Sequence, residues 1–171
     1  VLLIDCDLRK PTIHKQFGCQ NYSGLSTYLI TQHEQQDIIQ KTKIENLYLI
    51  SGGPVPPNPS EILETVRLEQ LIRNTREEFD YIIIDNAPLS LVSDGIVISQ
   101  FTDVNLFVLR QDYSKKSEVR FINHMHINKS MKNAGIILND IHIRKHAQAG
   151  YYGAQYIYKH HYGYDYYLEV T

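Results

Sequence analysis

The sequence contains no apolar run near 18 residues, so nothing in it reads as a membrane span. No basic region precedes its first apolar stretch, and no signal peptide is recognisable. Only two cysteines occur, Cys6 and Cys19. They form neither a disulfide framework nor a metal spacing, and each reads as a small apolar side chain in a reducing compartment. The net charge of −2 gives no support for nucleic acid as a partner. No Gly-Lys pair occurs anywhere, so the phosphate-cradling loop G-x-x-x-x-G-K-[ST] is missing. An initiator methionine is missing too, and the first residues already read as a strand. The expectation is a fragment whose upstream part lies elsewhere.

What is present suits one globular domain with a full core: 171 residues, 43% of them hydrophobic. Strand-like runs are expected at Val1–Asp5, Leu47–Ser51, Tyr81–Asp85, Val104–Leu109 and Gly135–Asn139. Helix-like stretches lie between them, at Leu25–Ile30, Ser60–Glu78, Ser93–Gln100 and Ser117–Met131. In the second of these, Ser60 suits an N-cap, Glu61 and Glu64 suit the positive helix start, and Ile62, Leu63, Val66, Leu68, Leu71 and Ile72 make an apolar stripe. Strands alternating with helices predict an α/β fold, a mostly parallel sheet flanked by helices. Gly52–Pro59 reads as a rigid proline loop that bars helix until Ser60. The reading divides the chain into a domain over 1–149 and a flexible tail over 150–171, where the composition shifts to Tyr, Gly and His.

Two strands end abruptly in carboxylates. Val1-Leu2-Leu3-Ile4 runs into Asp5-Cys6-Asp7-Leu8-Arg9, and Tyr81-Ile82-Ile83-Ile84 runs into Asp85. Such apolar runs suit strands buried on both faces of a parallel sheet, and ligands of these sheets sit outside the carboxyl ends of the strands. In an extended segment Asp5 and Asp7 face the same side. Two neighbouring carboxylates repel unless a proton or a cation lies between them, so a divalent metal is the economical expectation. One of the pair serves alternatively as a general base. Arg9 suits a phosphate or a carboxylate partner. The eight histidines give no ligand set: His124 and His126 diverge on a helix, and no carboxylate completes the pair His142 and His146.

These motifs carry a resemblance. Val1–Pro11 resembles the Walker A′ motif of the bacterial tyrosine kinases, and Tyr81–Pro88 resembles their Walker B. The segment from Gly53 through Pro54-Val55-Pro56-Pro57-Asn58-Pro59-Ser60-Glu61-Ile62-Leu63 is similar to the proline segment that follows their middle strand. The tail, with eight of the thirteen tyrosines, resembles their autophosphorylation cluster: Tyr151, Tyr152, Tyr156, Tyr158, Tyr162, Tyr164, Tyr166 and Tyr167.

The resemblance implies a P-loop NTPase-like fold and an ATP-dependent, Mg²⁺-dependent protein-tyrosine autokinase that regulates capsular or exopolysaccharide synthesis and export. Asp5, Asp7 and Asp85 take the metal and catalytic positions. Arg110 and Asn139 end strands near the expected base, where Asn139 can both donate and accept hydrogen bonds to adenine. The tail tyrosines are the phosphoacceptors, modified between subunits of a ring-shaped homo-oligomer. Implied partners are a transmembrane activator or polysaccharide co-polymerase region, fused upstream or separate, and a tyrosine phosphatase. The implied location is cytoplasmic, peripheral to the inner membrane through that transmembrane region. Without the Walker A lysine the fragment itself is expected to be inactive. Two rivals share parts of the pattern: a partition- or septum-type Walker ATPase, and a non-catalytic regulator whose tail another kinase modifies.

Overall fold

The computed structural model describes residues 1–31, 33–88, 94–128, 131 and 133–142. The described strands are β1 (Leu2–Asp5), β2 (Ile39–Lys41), β3 (Tyr48–Ile50), β4 (Ile82–Asp85), β5 (Asn105–Arg110) and β6 (Ala134–Asn139). The α-helices are α1 (Ile13–Phe17), α2 (Leu25–Ile30), α3 (Pro59–Leu63), α4 (Val66–Glu78), α5 (Asp94–Ser99) and α6 (Lys116–Ile127). The chain divides into two units, Val1–Phe107 with Lys115–Ile137, and Val108–Ser114 with Leu138–Thr171.

The first unit is built on a four-stranded sheet in the order β2-β3-β1-β4. β1 runs parallel to both β3 and β4. β2 is the exception, pairing antiparallel with β3 at the edge. It escaped the sequence reading because three residues, Ile39-Gln40-Lys41, make no apolar run, and a short edge strand needs none.

One sheet face carries the core. Leu2, Ile4 and Ile50 are wholly buried there, under Leu25 and Leu29 of α2, Ile62 and Leu63 of α3, Leu68, Leu71 and Ile72 of α4, and Ile98 of α5. On the other face Leu49 is buried, Leu3 is half-buried and Ile83 is 55% exposed. Burial of β4 on both faces is therefore not observed. Ile82 and Ile84 pack on the core while Ile83, pointing the other way by the pleat, meets no described element that covers it.

The expected helix from Ser60 to Glu78 is two helices. Asn58 is the N-cap of α3 and Pro59 its first helical residue, where a missing N–H costs nothing. Thr65 then turns extended, at φ −81° and ψ 148°, and caps α4. Its hydroxyl donates to the Ile62 carbonyl at 2.8 Å, which satisfies one of the acceptors the break exposes. Ser60 is released from capping, and its hydroxyl turns to the site.

The pair β5-β6 forms a separate two-stranded sheet. Its outer apolar residues Leu106 and Ile136 stay 61% and 52% exposed. In the second unit, Arg110 at the end of β5 pairs with Asp140 just past β6, Nε to Oδ2 at 2.6 Å. Residues 150–171, with the tyrosines expected as phosphoacceptors, lie outside the described residues, as does the expected boundary at 149/150.

Candidate functional site

The register of β1 against β4 sets Asp5 directly beside Asp85. Both close the carboxyl ends of neighbouring parallel strands, where a parallel sheet presents its ligands. The backbone continues the pairing one step further, since the Cys6 N–H donates to the Asp85 carbonyl at 2.8 Å. Asp5 is 1% exposed. Its two oxygens accept from the N–H groups of Asp7, at 3.2 Å, and Ile13, at 3.3 Å.

Asp7 is not placed by strand alternation, because β1 ends at Asp5. It sits in a turn of its own making. Its Oδ1 accepts from the N–H groups of Arg9, at 3.2 Å, and Lys10, at 3.0 Å. This is an Asx turn, in which a carboxylate stands in for a backbone acceptor.

The three carboxylates act on one another electrostatically. Burial pushes the Asp5 carboxyl up to about 6; the Ile13 N–H draws it partly back, and the charges of Asp85 and Asp7 push it further up. Asp85 keeps an exposed side chain. Its carboxyl is also raised, first by loss of solvent and then by the charge of Asp7, against the pull of the Asn86 N–H. Burial drives the Cys6 thiol upward as well, helped by Asp5 and Asp85; it is a buried apolar filler, as read from the sequence, and not a nucleophile.

The raised Asp5 carboxyl has a consequence for stability. Its folded pKa of about 6 lies above its ordinary 3.8, so the native state holds this proton more tightly than the unfolded chain. The contribution is fully present below about pH 4 and is lost as pH rises through 6. Denaturant titrations between pH 4 and 7 are expected to show an unfolding constant that rises with pH by about a hundredfold more in the wild type than in Asp5→Asn. Parallel curves for the two proteins would remove the coupling.

A divalent cation fits this donor set in charge: two paired carboxylates and a third nearby, each pair repulsive when ionised. The side chains do not cage an ion alone, since among the described residues no group of three or more His, Cys, Asp or Glu could hold a metal ion. That suits Mg²⁺, which keeps several waters and takes one or two carboxylates plus substrate phosphates.

The loop after β3 closes against this end of the sheet. Gly53 adopts φ +78°, a conformation that favours glycine. Asn21 clasps it from both sides: its Oδ1 accepts from the Gly53 N–H and its Nδ2 donates to the Gly53 carbonyl, each at 2.9 Å. The Ser26 hydroxyl donates to the Pro54 carbonyl at 2.7 Å. The rigid proline loop of the sequence reading is thus seated on the start of α2.

The sequence reading missed Asp94 and the real work of Ser60. Asp94 is 3% exposed and receives Arg9 Nε at 3.3 Å on Oδ2. Ser60 Oγ donates to Asp94 Oδ1 at 2.7 Å and accepts from an Arg9 terminal nitrogen at 2.7 Å. Of the two partners expected for Arg9, the structure shows the carboxylate. An aspartate in the first turn of a helix looks like a dipole partner from sequence, and no local signal marks it otherwise.

Arg110 and Asn139 belong to the second unit. The Gln111 N–H donates to the Asn139 carbonyl at 3.0 Å, which holds the two strand ends together. Asn139 Oδ1 accepts from the Asp140 N–H at 2.8 Å, and Arg110 lies over the Tyr113 ring, 5.5 Å from its centroid.

Comparison with known proteins accords with this arrangement. No family model matches the chain. It is 38% identical over 151 residues to the tyrosine-protein kinase ptk of Acinetobacter johnsonii, covering 88% of this chain and 20% of that protein. It is 34% identical over 151 residues to the putative tyrosine-protein kinase CapB of Staphylococcus aureus, covering 88% of this chain and 66% of the relative. Among solved structures, the kinase domain of the Escherichia coli tyrosine kinase ETK superposes with a TM-score of 0.79 at 33% identity, over 85% of this chain and 57% of that one. The septum site-determining protein MinD of Pyrococcus horikoshii, complexed with Mg-ADP, superposes with a TM-score of 0.64 at 20% identity, over 80% and 56% of the two chains. The fold is that of the P-loop ATPases, with a mixed, mostly parallel sheet. Within that class the chain belongs to the bacterial tyrosine kinase family. It spans about a fifth of the length of ptk and about two thirds of CapB.

Proposed function

We propose that the chain supplies the Walker A′ and Walker B carboxylates of an ATP-dependent protein-tyrosine autokinase that regulates capsular or exopolysaccharide synthesis. The observation that carries the reading is the side-by-side register of Asp5 and Asp85 at the carboxyl ends of β1 and β4. In the reaction the tyrosine oxygen forms a bond to the γ-phosphorus as the bond to ADP breaks. The phenolic proton passes to Asp5 or Asp7. Burial raises the Asp5 carboxyl, which makes it a stronger base than an ordinary carboxylate. Asp5, Asp7 and Asp85 would hold Mg²⁺, which would supply charge neutralisation for the transferred group.

No Gly-Lys pair is present, so this reading requires a phosphate-binding loop from polypeptide outside the 171 residues. The acceptors are the tail tyrosines from Tyr151 to Tyr167, on another copy of the protein in a ring. Each phosphorylation adds about −1.5 to −2 charges, which repel one another and the carboxylates and open the ring. A transmembrane partner region holds this cytoplasmic domain at the inner membrane; among the described residues no helix is long and apolar enough to cross it.

The test mixes two full-length proteins with MgATP. One carries Asp85→Asn and an intact tail, and the other lacks residues 150–171. Phosphotyrosine on the first, located by mass spectrometry between Tyr151 and Tyr167, is the expected result. ATP hydrolysis without phosphotyrosine would favour the septum-type ATPase reading, which the shared MinD fold keeps in view. Neither product would favour the non-catalytic regulator.

A further inference from the structure

The three partners Arg9, Ser60 and Asp94 come from the turn after β1, the first turn of α3 and the first turn of α5. They close a triangle of hydrogen bonds: Arg9 to Asp94 at 3.3 Å, Arg9 to Ser60 at 2.7 Å, and Ser60 to Asp94 at 2.7 Å. Both oxygens of the buried Asp94 carboxylate are occupied by these two side chains. Asp94 is buried but the Arg9 side chain is 42% exposed, so solvent screening on one side and desolvation on the other leave the pair little net stability. Its value lies in geometry, since Arg9 is the residue whose own N–H closes the turn on Asp7 Oδ1 at 3.2 Å. The next N–H, of Lys10, donates to the same oxygen at 3.0 Å, and the Asp7 N–H in turn donates to Asp5 at 3.2 Å.

We propose that Asp94 and Ser60 are positioning residues for the carboxylate site: they anchor the Arg9 side chain, and through the Arg9 backbone they hold Asp7 against Asp5. Neither touches the reacting groups. The proposal rests on the reading of Asp5, Asp7 and Asp85 as the cation and base site, and it adds a device that ties the aim of Asp7 to the starts of α3 and α5. With the anchor in place the Asp7 carboxylate is pre-set. Without it the turn from Asp7 to Lys10 keeps its local hydrogen bonds and the buried Leu8 side chain, while the N–H groups of the exposed Arg9 and Lys10 compete with water.

The test uses the full-length protein, phosphate-binding loop included, with four changes: Ser60→Ala, Ser60→Thr, Arg9→Met, and Arg9→Met combined with Asp94→Leu. Three quantities are read: amide hydrogen exchange at Arg9 and Lys10, the thermal midpoint, and broadening of the Asp7 and Asn86 amide signals by Mn²⁺ with ADP. Exchange at Arg9 and Lys10 is expected to quicken at least tenfold in Ser60→Ala and Arg9→Met, and to stay near wild type in Ser60→Thr, which keeps the hydroxyl. Arg9→Met leaves the buried Asp94 carboxylate without its cation, held by the Ser60 hydroxyl alone, and lowers the midpoint. The double variant replaces the pair by apolar groups and recovers the midpoint, while exchange stays fast. Exchange that recovers along with the midpoint, or that is unchanged throughout, would overturn the proposal, because the cluster would then be packing alone. Absence of Mn²⁺ broadening in the wild type counts against the cation reading only; exchange decides the anchor independently.

Discussion

Asp85→Asn in the full-length protein is expected to lower phosphotyrosine formation at least a hundredfold, and Asp5→Asn to do the same. The two side chains are register partners on adjacent strands, so each change removes one charge from a site proposed to act by positioning and charge neutralisation. Where Asp5, and not Asp7, is the base, a second loss adds to the first. An amide cannot take the phenolic proton, and general base catalysis is ordinarily worth about 10²–10⁴ in rate. The structure also separates loss of function from loss of fold. Asp5 is desolvated and crowded by like charge, so above pH 6 its ionised form destabilises the native state, and the neutral amide relieves that. One of the two N–H groups it serves, of Asp7 or Ile13, then faces an NH₂ in place of an oxygen, which returns part of the gain. Activity therefore collapses in Asp5→Asn while the thermal midpoint at pH 7 does not. Autophosphorylation left intact in either variant would remove the substituted residue from the mechanism.

The second large effect is structural. Gly24→Ala is expected to destabilise the domain by about 3 kcal/mol, at the upper end of ordinary overpacking costs. A Cβ at Gly24 would stand 2.3 Å from the Ser51 carbonyl oxygen and 2.6 Å from the Gly53 nitrogen. Both are backbone atoms that no side-chain rotation moves. They are also engaged: the Ser51 carbonyl accepts from the Leu25 N–H at 2.7 Å, and the Gly53 N–H is held by Asn21. Relief of the clash means pulling α2 off the loop that follows β3. For a domain of this size the loss corresponds to a fall of roughly 6–12 °C in thermal midpoint, measurable by calorimetry. A midpoint within a degree of wild type would show that α2 and the loop part easily.

The strand ends were legible in the sequence because their signal is local. Four apolar residues running into Asp5, and four more into Asp85, mark strands whatever surrounds them, and parallel pairing then brings both carboxylates to one end of the sheet. The helix from Leu25 to Ile30 was legible for the same reason. The pattern did not reveal the break at Thr65, since the apolar stripe of α3 and α4 runs on through it with no proline or glycine to announce a stop. Nor did it reveal β2, whose place depends on β3 lying beside it.

By itself, the sequence determined the strand-ending carboxylates, the α/β alternation, the proline loop and the resemblance to a kinase family, because each is a matter of residue type and near-neighbour spacing. Only the tertiary structure decided that Asp5 stands opposite Asp85, that Arg9 answers to Asp94 across 85 residues, that Ser60 bonds a side chain and caps no helix, and that Gly24 admits no Cβ. These are contacts between segments remote in sequence. A hydrogen-bond partner or a close backbone approach of that kind leaves no periodicity in the sequence, and it exists only once the sheet has set which strand ends meet.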